Sequence, residues 1–297
     1  MNIRVILTLI TPIIFSDHLH AQAPGVPIFE QSQTAIRQED NALGKTAEQL
    51  MKKGAIVTHE TVQPAMQNPE KISFLLKKRS EKKLEASEIA KHALKSTYRI
   101  GWVYLCKNCD RWHTNLGGGY AVSDDGILAT CTHVINPDGM NLLKGCLIAI
   151  DHQGEIFPVT KIIAYHKEMD AALLKIETNT MGLAFNDQVH PGNEAFCLSR
   201  PLKQGKYFSK GIVNRFFWNS TKRGSDDSDL KALAHLRLNV SSRWAPGSSG
   251  SPVFDHFGNI IGHVSTIKSL GGDKDKPSQI TLHTAVPARS VMTLSKN

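Results

Sequence analysis

The sequence lacks repeats and, after residue 23, any long apolar run, so the rest of the chain offers no candidate membrane span. Its 22 glycines and 13 prolines follow no triplet period, which excludes a collagen-like rod. With 41% hydrophobic and 21% charged residues, it also lacks the charge excess that keeps a chain disordered. The five cysteines are an odd number, so disulfides within one chain cannot pair them all.

The N-terminal residues have the pattern of a secretory signal peptide. Arg4 supplies a short positive region, residues 5–15 form an apolar run, and Ala21 and Ala23 give the small-x-small pattern of a cleavage site. The run is short for a bilayer span, which takes about 20 residues; a short anchor or a buried strand is the alternative. We predict a signal peptide over residues 1–23, cleaved after Ala23 or Ala21, and a secreted or periplasmic protein with no membrane contact after cleavage.

The formal net charge of +8 raises the question of an anionic partner. Residues 71–95 carry eight Lys and Arg against three Glu, but they lack the interleaved aromatic residues that stack on bases. We therefore interpret the charge as a surface property and predict no nucleic-acid partner. An exported anion-binding or nucleic-acid-binding protein is kept as a rival function.

Residues 24–95 contain neither cysteine nor tryptophan and show little strand pattern. Apolar residues recur at helical spacing between Ala86 and Thr97, which predicts an amphipathic helix at about 80–95 with Ser80 as its N-cap. We predict a basic helical segment over residues 24–95. It could be a propeptide, an inhibitory arm, a docking segment or a helix packed on the main domain.

From residue 96 onward, short apolar or alternating runs are separated by turn signals, with Asp125-Gly126 and Phe257-Gly258 as hairpin turns. This pattern predicts an all-β barrel or sandwich over residues 96–297. Three segments in that region carry chemistry: Thr130-Cys-Thr-His133, Asp170-Ala-Ala-Leu-Leu, and Gly247-Ser-Ser249-Gly-Ser-Pro.

In this order, the three segments resemble the trypsin-like, chymotrypsin-fold serine peptidases, and the nucleophile segment is closest to the bacterial glutamyl-endopeptidase-like members. The resemblance implies two six-stranded antiparallel β-barrels and a serine endopeptidase that acts on protein or peptide substrates without a cofactor. It also implies that His133 accepts the proton of Ser249, that Asp170 orients His133, and that the amides of Gly247 and Ser249 form the oxyanion hole. A catalytically weak binding or sensor protein on the same fold is the alternative.

The resemblance implies less about which substrate side chains the protein accepts. Ser248 stands where digestive members carry an aspartate, so activation by a buried N-terminal ammonium is not expected. Arg243 stands where trypsins carry the aspartate that selects Lys and Arg, Ser265 is expected beside the substrate backbone, and His283 is expected at the rim or floor of the specificity pocket. We predict a preference for acidic or small side chains at P1, the residue before the scissile bond. The chain after Ser249 is too short for a peptide-binding PDZ module, so we expect neither such a module nor the oligomers that accompany it.

The segment Cys106-Lys-Asn-Cys109-Asp-Arg-Trp-His113 is the remaining marked feature. In an exported protein, a local disulfide between Cys106 and Cys109 that closes a hairpin is the simplest interpretation. The alternative is a zinc site that uses both thiolates and His113, although this provides only three ligands. Cys131, Cys146 and Cys197 are interpreted as buried thiols.

Overall fold

The computed structural model describes residues 33–69, 74–219, 233–272 and 277–295. The predicted signal peptide and its cleavage point lie outside the described residues. Among those residues no helix is both long and apolar enough to cross a membrane. The helices are α1 (Gln33–Lys53), α2 (Val62–Gln67), α3 (Ala86–Ser96), α4 (Thr132–Ile135) and α5 (Ala288–Leu294), with one 3-10 turn at Pro201–Lys203.

Thirteen strands form two antiparallel sheets, a seven-stranded sheet in the order β5-β4-β1-β2-β3-β7-β6 and a closed six-stranded barrel in the order β10-β13-β12-β11-β8-β9. The first sheet contains β1 (Thr97–Cys106), β2 (Trp112–Ala121), β3 (Ile127–Thr130), β4 (Leu142–Ile150), β5 (Ile156–Pro158), β6 (Lys161–His166) and β7 (Ala171–Lys175). The barrel contains β8 (Glu194–Ser199), β9 (Tyr207–Trp218), β10 (Leu236–Val240), β11 (Pro252–Phe254), β12 (Ile260–Leu270) and β13 (Ile280–Pro287).

The all-β class and the second barrel confirm the prediction, and the first sheet is a curled half-barrel of seven strands where six were expected. The segment 156–163 divides into β5 and the start of β6. The amide of Val159 still bonds to Leu147 of β4, whereas the amide of Thr160 bonds to Lys175 of β7. The chain therefore passes from one edge of the sheet to the other within two residues, and the sheet curls without closing.

Helix α3 begins later than predicted, and Ser80 is not its N-cap. Glu85 and Glu88 form a capping box, in which each side chain bonds to the other residue's backbone amide. The Ser80 amide instead donates to Asn259 Oδ1 at 2.8 Å. Ile89 and Ala93 on α3 are buried in a core that also contains Tyr120 of the first sheet and Phe254 of the barrel. The helix thus packs where the two sheets meet.

Earlier residues cover the outer side of the first sheet. A Cβ added to Gly44 of α1 would lie 2.2 Å from the indole of Trp112, so the helix lies directly on β2. Glu39 of α1 forms an ion pair with Arg99 of β1. Further along, Thr58 pairs with Cys146 of β4 as an isolated antiparallel bridge. Helix α1 is 21 residues long and lies outside the one helix, at about 80–95, whose bounds the sequence predicted.

Candidate active site

His133 lies on the short helix α4, immediately after β3. The hydroxyl of the preceding residue, Thr132, donates to the carbonyl oxygens of His166 (3.1 Å) and Ala171 (2.9 Å), at the ends of β6 and β7. These bonds tie the start of α4 to the turn that carries Asp170. The single helical turn therefore presents the imidazole to the carboxylate of the neighbouring hairpin.

His133 and Asp170 are brought together as the sequence motifs predicted. Nδ1 of His133 lies 2.9 Å from Oδ1 and 3.0 Å from Oδ2 of Asp170, and the backbone amide of His133 donates to Oδ1 at 3.3 Å. The Ser265 hydroxyl donates to Oδ2 of the same carboxylate at 2.6 Å. Asp170 has a φ of +62°, a left-handed conformation that a non-glycine residue rarely adopts without support from its surroundings.

The pair has the electrostatics expected of an imidazole held by a carboxylate. Burial alone would lower the pKa of His133, but the hydrogen bond to Asp170 and its charge outweigh burial, and the pKa is raised. Burial alone would raise the pKa of Asp170, but the bonds to His133 and Ser265 hold it at about 2. Asp170 is therefore ionised at neutral pH and favours the protonated form of His133.

A second histidine, His263, contacts the backbone of Asp170 and was not among the predicted site residues. His263 is fully buried, its Nε2 lies 3.0 Å from the carbonyl oxygen of Asp170, and its Nδ1 lies 3.4 Å from the hydroxyl of Tyr120. Burial lowers the pKa of His263 to about 4, so the ring is neutral and donates from one nitrogen while accepting at the other. Strand alternation alone does not indicate it, because the pairing of β12 is irregular between Val264 and Thr266.

The same turn is also held from the barrel by Arg237. Its Nη2 donates to the carbonyl oxygen of Glu168 at 2.7 Å, and its Nη1 donates to the carbonyl oxygens of Ala234 and Leu236 at 2.8 Å. Only 6% of Arg237 is exposed, so its guanidinium satisfies these carbonyls out of contact with bulk water. Arg237 therefore holds the turn before Asp170 through backbone carbonyl oxygens and not through a carboxylate.

The Ser249 turn lies against β2 and the end of β3. Gly118 donates its amide to the carbonyl oxygen of Ser249 at 2.6 Å, and Gly250 donates to Val264 at 2.7 Å. Gly247 and Gly250 have φ values of +93° and +83°. A Cβ at Gly250 would lie 2.3 Å from the carbonyl oxygen of Gly118, so this position requires glycine for both conformation and space. A Cβ added to Gly117 would lie 2.6 Å from the Ser249 carbonyl oxygen, and one added to Gly118 would lie 2.2 Å from the Ser251 hydroxyl, so these two glycines let the Ser249 turn approach β2.

The serine side of the site is less fully bonded than the histidine side. Among the described residues, no hydrogen bond joins Ser249 to His133, and the amides of Gly247 and Ser249 donate to no protein acceptor. Two unpaired amides in a glycine turn are available to bind a developing oxyanion. Catalytic hydrogen bonds are often long before substrate binds, so the separation is compatible with a triad.

The residues expected around the specificity pocket have other contacts. The hydroxyl of Ser265, expected beside the substrate backbone, is bonded to Asp170. Arg243 is exposed and its backbone is bonded to the Ser209 hydroxyl. The ring of His283 packs edge-on against Trp244, with 5.0 Å between centroids, and burial lowers the pKa of His283.

Trp244 is a specificity candidate that the sequence analysis missed. It is 4% exposed and its indole N–H donates to the carbonyl oxygen of Thr266 at 3.2 Å, which places it between β12 and His283 of β13. Beside Asp170 and Ser265, an open cleft is lined by Lys167, Arg215 and Lys268, and also by Glu168. Trp244 therefore fills the space beside His283, and the neighbouring cleft carries three basic side chains.

The predicted disulfide between Cys106 and Cys109 is not formed, because both residues are free thiols. The sulfur of Cys109 instead lies 3.0 Å from Nε2 of His113. Cys131, Cys146 and Cys197 are buried free thiols, as predicted. Cys131 donates to the carbonyl oxygen of Val264 at 3.0 Å and burial raises its pKa, so it is not a reactive thiolate beside the triad.

Comparison with known sequences identifies the domain. The profile of the trypsin-like peptidase domain matches residues 117–262. The chain is 26% identical over 162 residues to a probable periplasmic serine endoprotease DegP-like of Marinomonas sp.. The matched region covers 54% of this chain and 31% of that protein. It is 29% identical over 161 residues to serine protease HTR4 of Rattus norvegicus, covering 52% of this chain and 30% of that protein. The chain thus spans about a third of the length of these relatives.

Solved structures share the fold. An HtrA-type protease AlgW with a decapeptide superposes with a TM-score of 0.53 at 18% identity, over 72% of this chain and 67% of that chain. The serine endoprotease from Yersinia pestis gives a TM-score of 0.51 at 19% identity, over 73% of this chain and 67% of that chain. Residues 117–262 therefore form a trypsin-like peptidase domain, related in sequence to serine proteases, and the solved structures show the shared fold.

Proposed function

We propose that this protein is an exported serine endopeptidase that cleaves peptide bonds through an acyl-enzyme on Ser249. The observation that carries the proposal is the bond of His133 Nδ1 to both oxygens of Asp170, next to a glycine turn that carries a serine. A serine hydroxyl is a weak nucleophile at neutral pH, so it requires a neutral imidazole to take its proton. With Nδ1–H directed at Asp170, the other nitrogen of His133 is left as the base.

The reaction then follows from these groups. Ser249 attacks the peptide carbonyl while His133 takes its proton, and the amides of Gly247 and Ser249 stabilise the oxyanion. His133 returns the proton to the leaving amine, and water releases the acyl group by the same steps. Asp170 fixes the tautomer of His133 and stabilises the imidazolium, while Ser265 and His263 hold Asp170 in place.

The alternative is a catalytically weak binding or sensor protein on the same fold. It is favoured by one observation, since Ser249 and His133 share no hydrogen bond among the described residues. An enzyme would form that bond when substrate orders the nucleophile turn, whereas a binding protein would not form it at all. The two functions therefore differ in whether Ser249 reacts.

For the location we propose the periplasm or the exterior, since the N-terminal pattern fits export and relatives such as the one from Marinomonas are named periplasmic. For the substrate we propose peptides with a small or acidic residue at P1. Trp244 fills space next to His283, which favours small side chains. The lysines and Arg215 around the neighbouring cleft favour acidic residues in the bound peptide.

Labelling with a fluorophosphonate probe tests the proposal. The wild-type chain should be labelled at neutral pH, and Ser249→Ala should not be labelled and should lose about 10⁶-fold in kcat. Ser248→Ala is the matched control, because the buried Ser248 hydroxyl has no partner among the described residues and should be dispensable. A folded wild-type protein that resists the probe would favour the binding protein.

A further inference from the structure

The turn between β1 and β2 brings together three side chains with metal-binding chemistry. Cys106 is the last residue of β1, Cys109 lies in the turn, and His113 is the second residue of β2, opposite Tyr104. The amide of Cys106 donates to the carbonyl oxygen of Arg111 at 2.9 Å and closes the loop between them. A short hairpin of fixed register therefore supports the cluster, which the peptidase site does not use.

The ligand atoms converge. Both sulfurs and a ring nitrogen of His113 lie within 4.8 Å of one another, and the Cys109 sulfur is 3.0 Å from Nε2 of His113. In a tetrahedral zinc site, Zn–S and Zn–N distances of about 2.3 and 2.0 Å separate ligand atoms by about 3.5–3.8 Å. Shifts of about an ångström in the positions of the ligand atoms would bring the three atoms to that spacing. Within the described ranges, no fourth His, Cys, Asp or Glu joins the group.

The backbone of the turn is arranged to stabilise a thiolate. The amide of Asn108 donates to the Cys106 sulfur at 3.4 Å. Asp110, later in the same turn, has a φ of +50°, a left-handed conformation that turns the chain back toward β2. Amides that point at the first cysteine of a Cys-x-x-Cys pair neutralise the charge that a bound cation leaves on its thiolate.

The histidine is also held in place. Its ring stacks on Tyr104, the residue opposite it in the ladder, with 5.7 Å between centroids and a 29° angle between planes. The residue before His113, Trp112, packs over Gly44 of α1. The cluster therefore sits at the end of a hairpin that is already fixed to the N-terminal helix, which reduces the entropy lost when a metal is bound.

We propose that Cys106, Cys109 and His113 bind one Zn²⁺ ion through two thiolates and one imidazole, with water in the fourth position. Two soft sulfur ligands and one imidazole suit zinc, whereas oxygen-binding cations such as Mg²⁺ and Ca²⁺ are disfavoured. The ion would tie the last residue of β1 to the start of β2. This proposal does not depend on peptidase activity, because none of the three residues belongs to the candidate active site.

The test uses the full chain, purified with its thiols reduced and freed of metal, and titrated with Co²⁺ and then Zn²⁺. We expect about one Co²⁺ per chain, with the visible bands of a tetrahedral site and a thiolate charge-transfer band that Zn²⁺ abolishes. Cys109→Ser and His113→Gln should each weaken Co²⁺ binding by more than about 100-fold. Zn²⁺ should raise the Tm of the wild-type chain but leave the Tm of either variant unchanged.

Two matched controls isolate the cluster. Cys146→Ala removes a buried thiol elsewhere, and His92→Gln removes an exposed imidazole. Both should keep the full cobalt spectrum, and circular dichroism should show that all four variants fold. The proposal is overturned if the reduced chain binds no Co²⁺, if the charge-transfer band is missing, or if Cys109→Ser and His113→Gln bind as tightly as the controls.

Discussion

The two halves of the candidate active site are built in different ways. The half from the first sheet, His133 and Asp170, is fixed by side-chain hydrogen bonds that extend to Ser265 and, through the backbone of Asp170, to His263. The half from the barrel, the Ser249 turn, is positioned by backbone bonds and by glycines with positive φ. The His133–Asp170 pair is thus assembled before substrate arrives, whereas the Ser249 turn has amides and a hydroxyl with no partner among the described residues.

This difference indicates where each half is vulnerable. Side-chain chemistry sets the charge state and tautomer of His133, so conservative changes there should alter the reaction and spare the fold. Backbone conformation sets the position of Ser249, so a single added Cβ should act on the turn itself. The following predictions separate the two halves.

The largest effect is expected for Asp170→Asn. An amide cannot stabilise the imidazolium, and because Asp170 raises the pKa of His133, its removal should lower that pKa. We expect kcat/KM to fall by about 10⁴-fold with the melting temperature little changed. Steady-state kinetics over a range of pH measures this. Asp138→Asn, at an exposed aspartate bonded to Asn136, is the control and should behave as wild type.

Gly250→Ala tests the other half. The new Cβ would meet the Gly118 carbonyl and also occupy a left-handed conformation, so the turn must move. We expect fluorophosphonate labelling to slow by about 10²–10³-fold, the range for loss of oxyanion donors. Gly154→Ala is the control, since Gly154 has a φ of +87° but open space around it, and it should lose stability only. Equal labelling of the two variants would contradict a backbone-positioned nucleophile.

A smaller effect concerns specificity. Replacing Trp244 by Leu frees space beside His283, so we expect the ratio of kcat/KM for large over small P1 residues to rise by about tenfold. Profiling wild type and variant on a P1 peptide library measures the change. Strong cleavage by wild type after Arg or Lys would overturn the preference for small or acidic P1 residues.

The last effect is on stability and depends on pH. His263 is neutral in the fold with a pKa of about 4, below its ordinary 6.5, so its contribution is complete above pH 6.5 and is lost as pH falls toward 4. The loss should reach about 3 kcal/mol in the free energy of unfolding. Besides burial, Asp170 acts to raise this pKa, whereas His133 and Arg237 act to lower it. His263→Gln keeps a donor for Asp170 but cannot titrate.

Chemical unfolding between pH 7 and pH 4 compares the two chains. Wild type should lose stability more steeply than His263→Gln in this window, because the titration of the remaining groups is common to both. His92→Gln, at an exposed histidine, should keep the wild-type slope. Parallel curves for wild type and His263→Gln would show that His263 does not resist protonation.

Local sequence patterns located the three candidate site residues but not the residues that support them. His133, Asp170 and Ser249 lie in short motifs next to strands, and strand patterns can be read from neighbouring residues. His263 and Trp244 were missed because their contacts depend on which strands pair, which no local pattern reveals. The division of the first sheet into seven strands was not predicted, because strand periodicity does not contain the switch of partners at Val159 and Thr160. Cys106 and Cys109 were assigned to a disulfide because spacing alone does not show where their sulfurs point.

The bridge between Thr58 and Cys146 has a consequence for aggregation. A strand edge with unpaired amides and carbonyls can add a strand from another molecule. The amide of Leu147 donates to the carbonyl oxygen of Val57, so residues 57–58 occupy that edge of β4 from within the same chain. A shortened protein that began at residue 96 would uncover this edge together with the apolar surface under Val62. We expect such a shortened protein to self-associate instead of gaining activity.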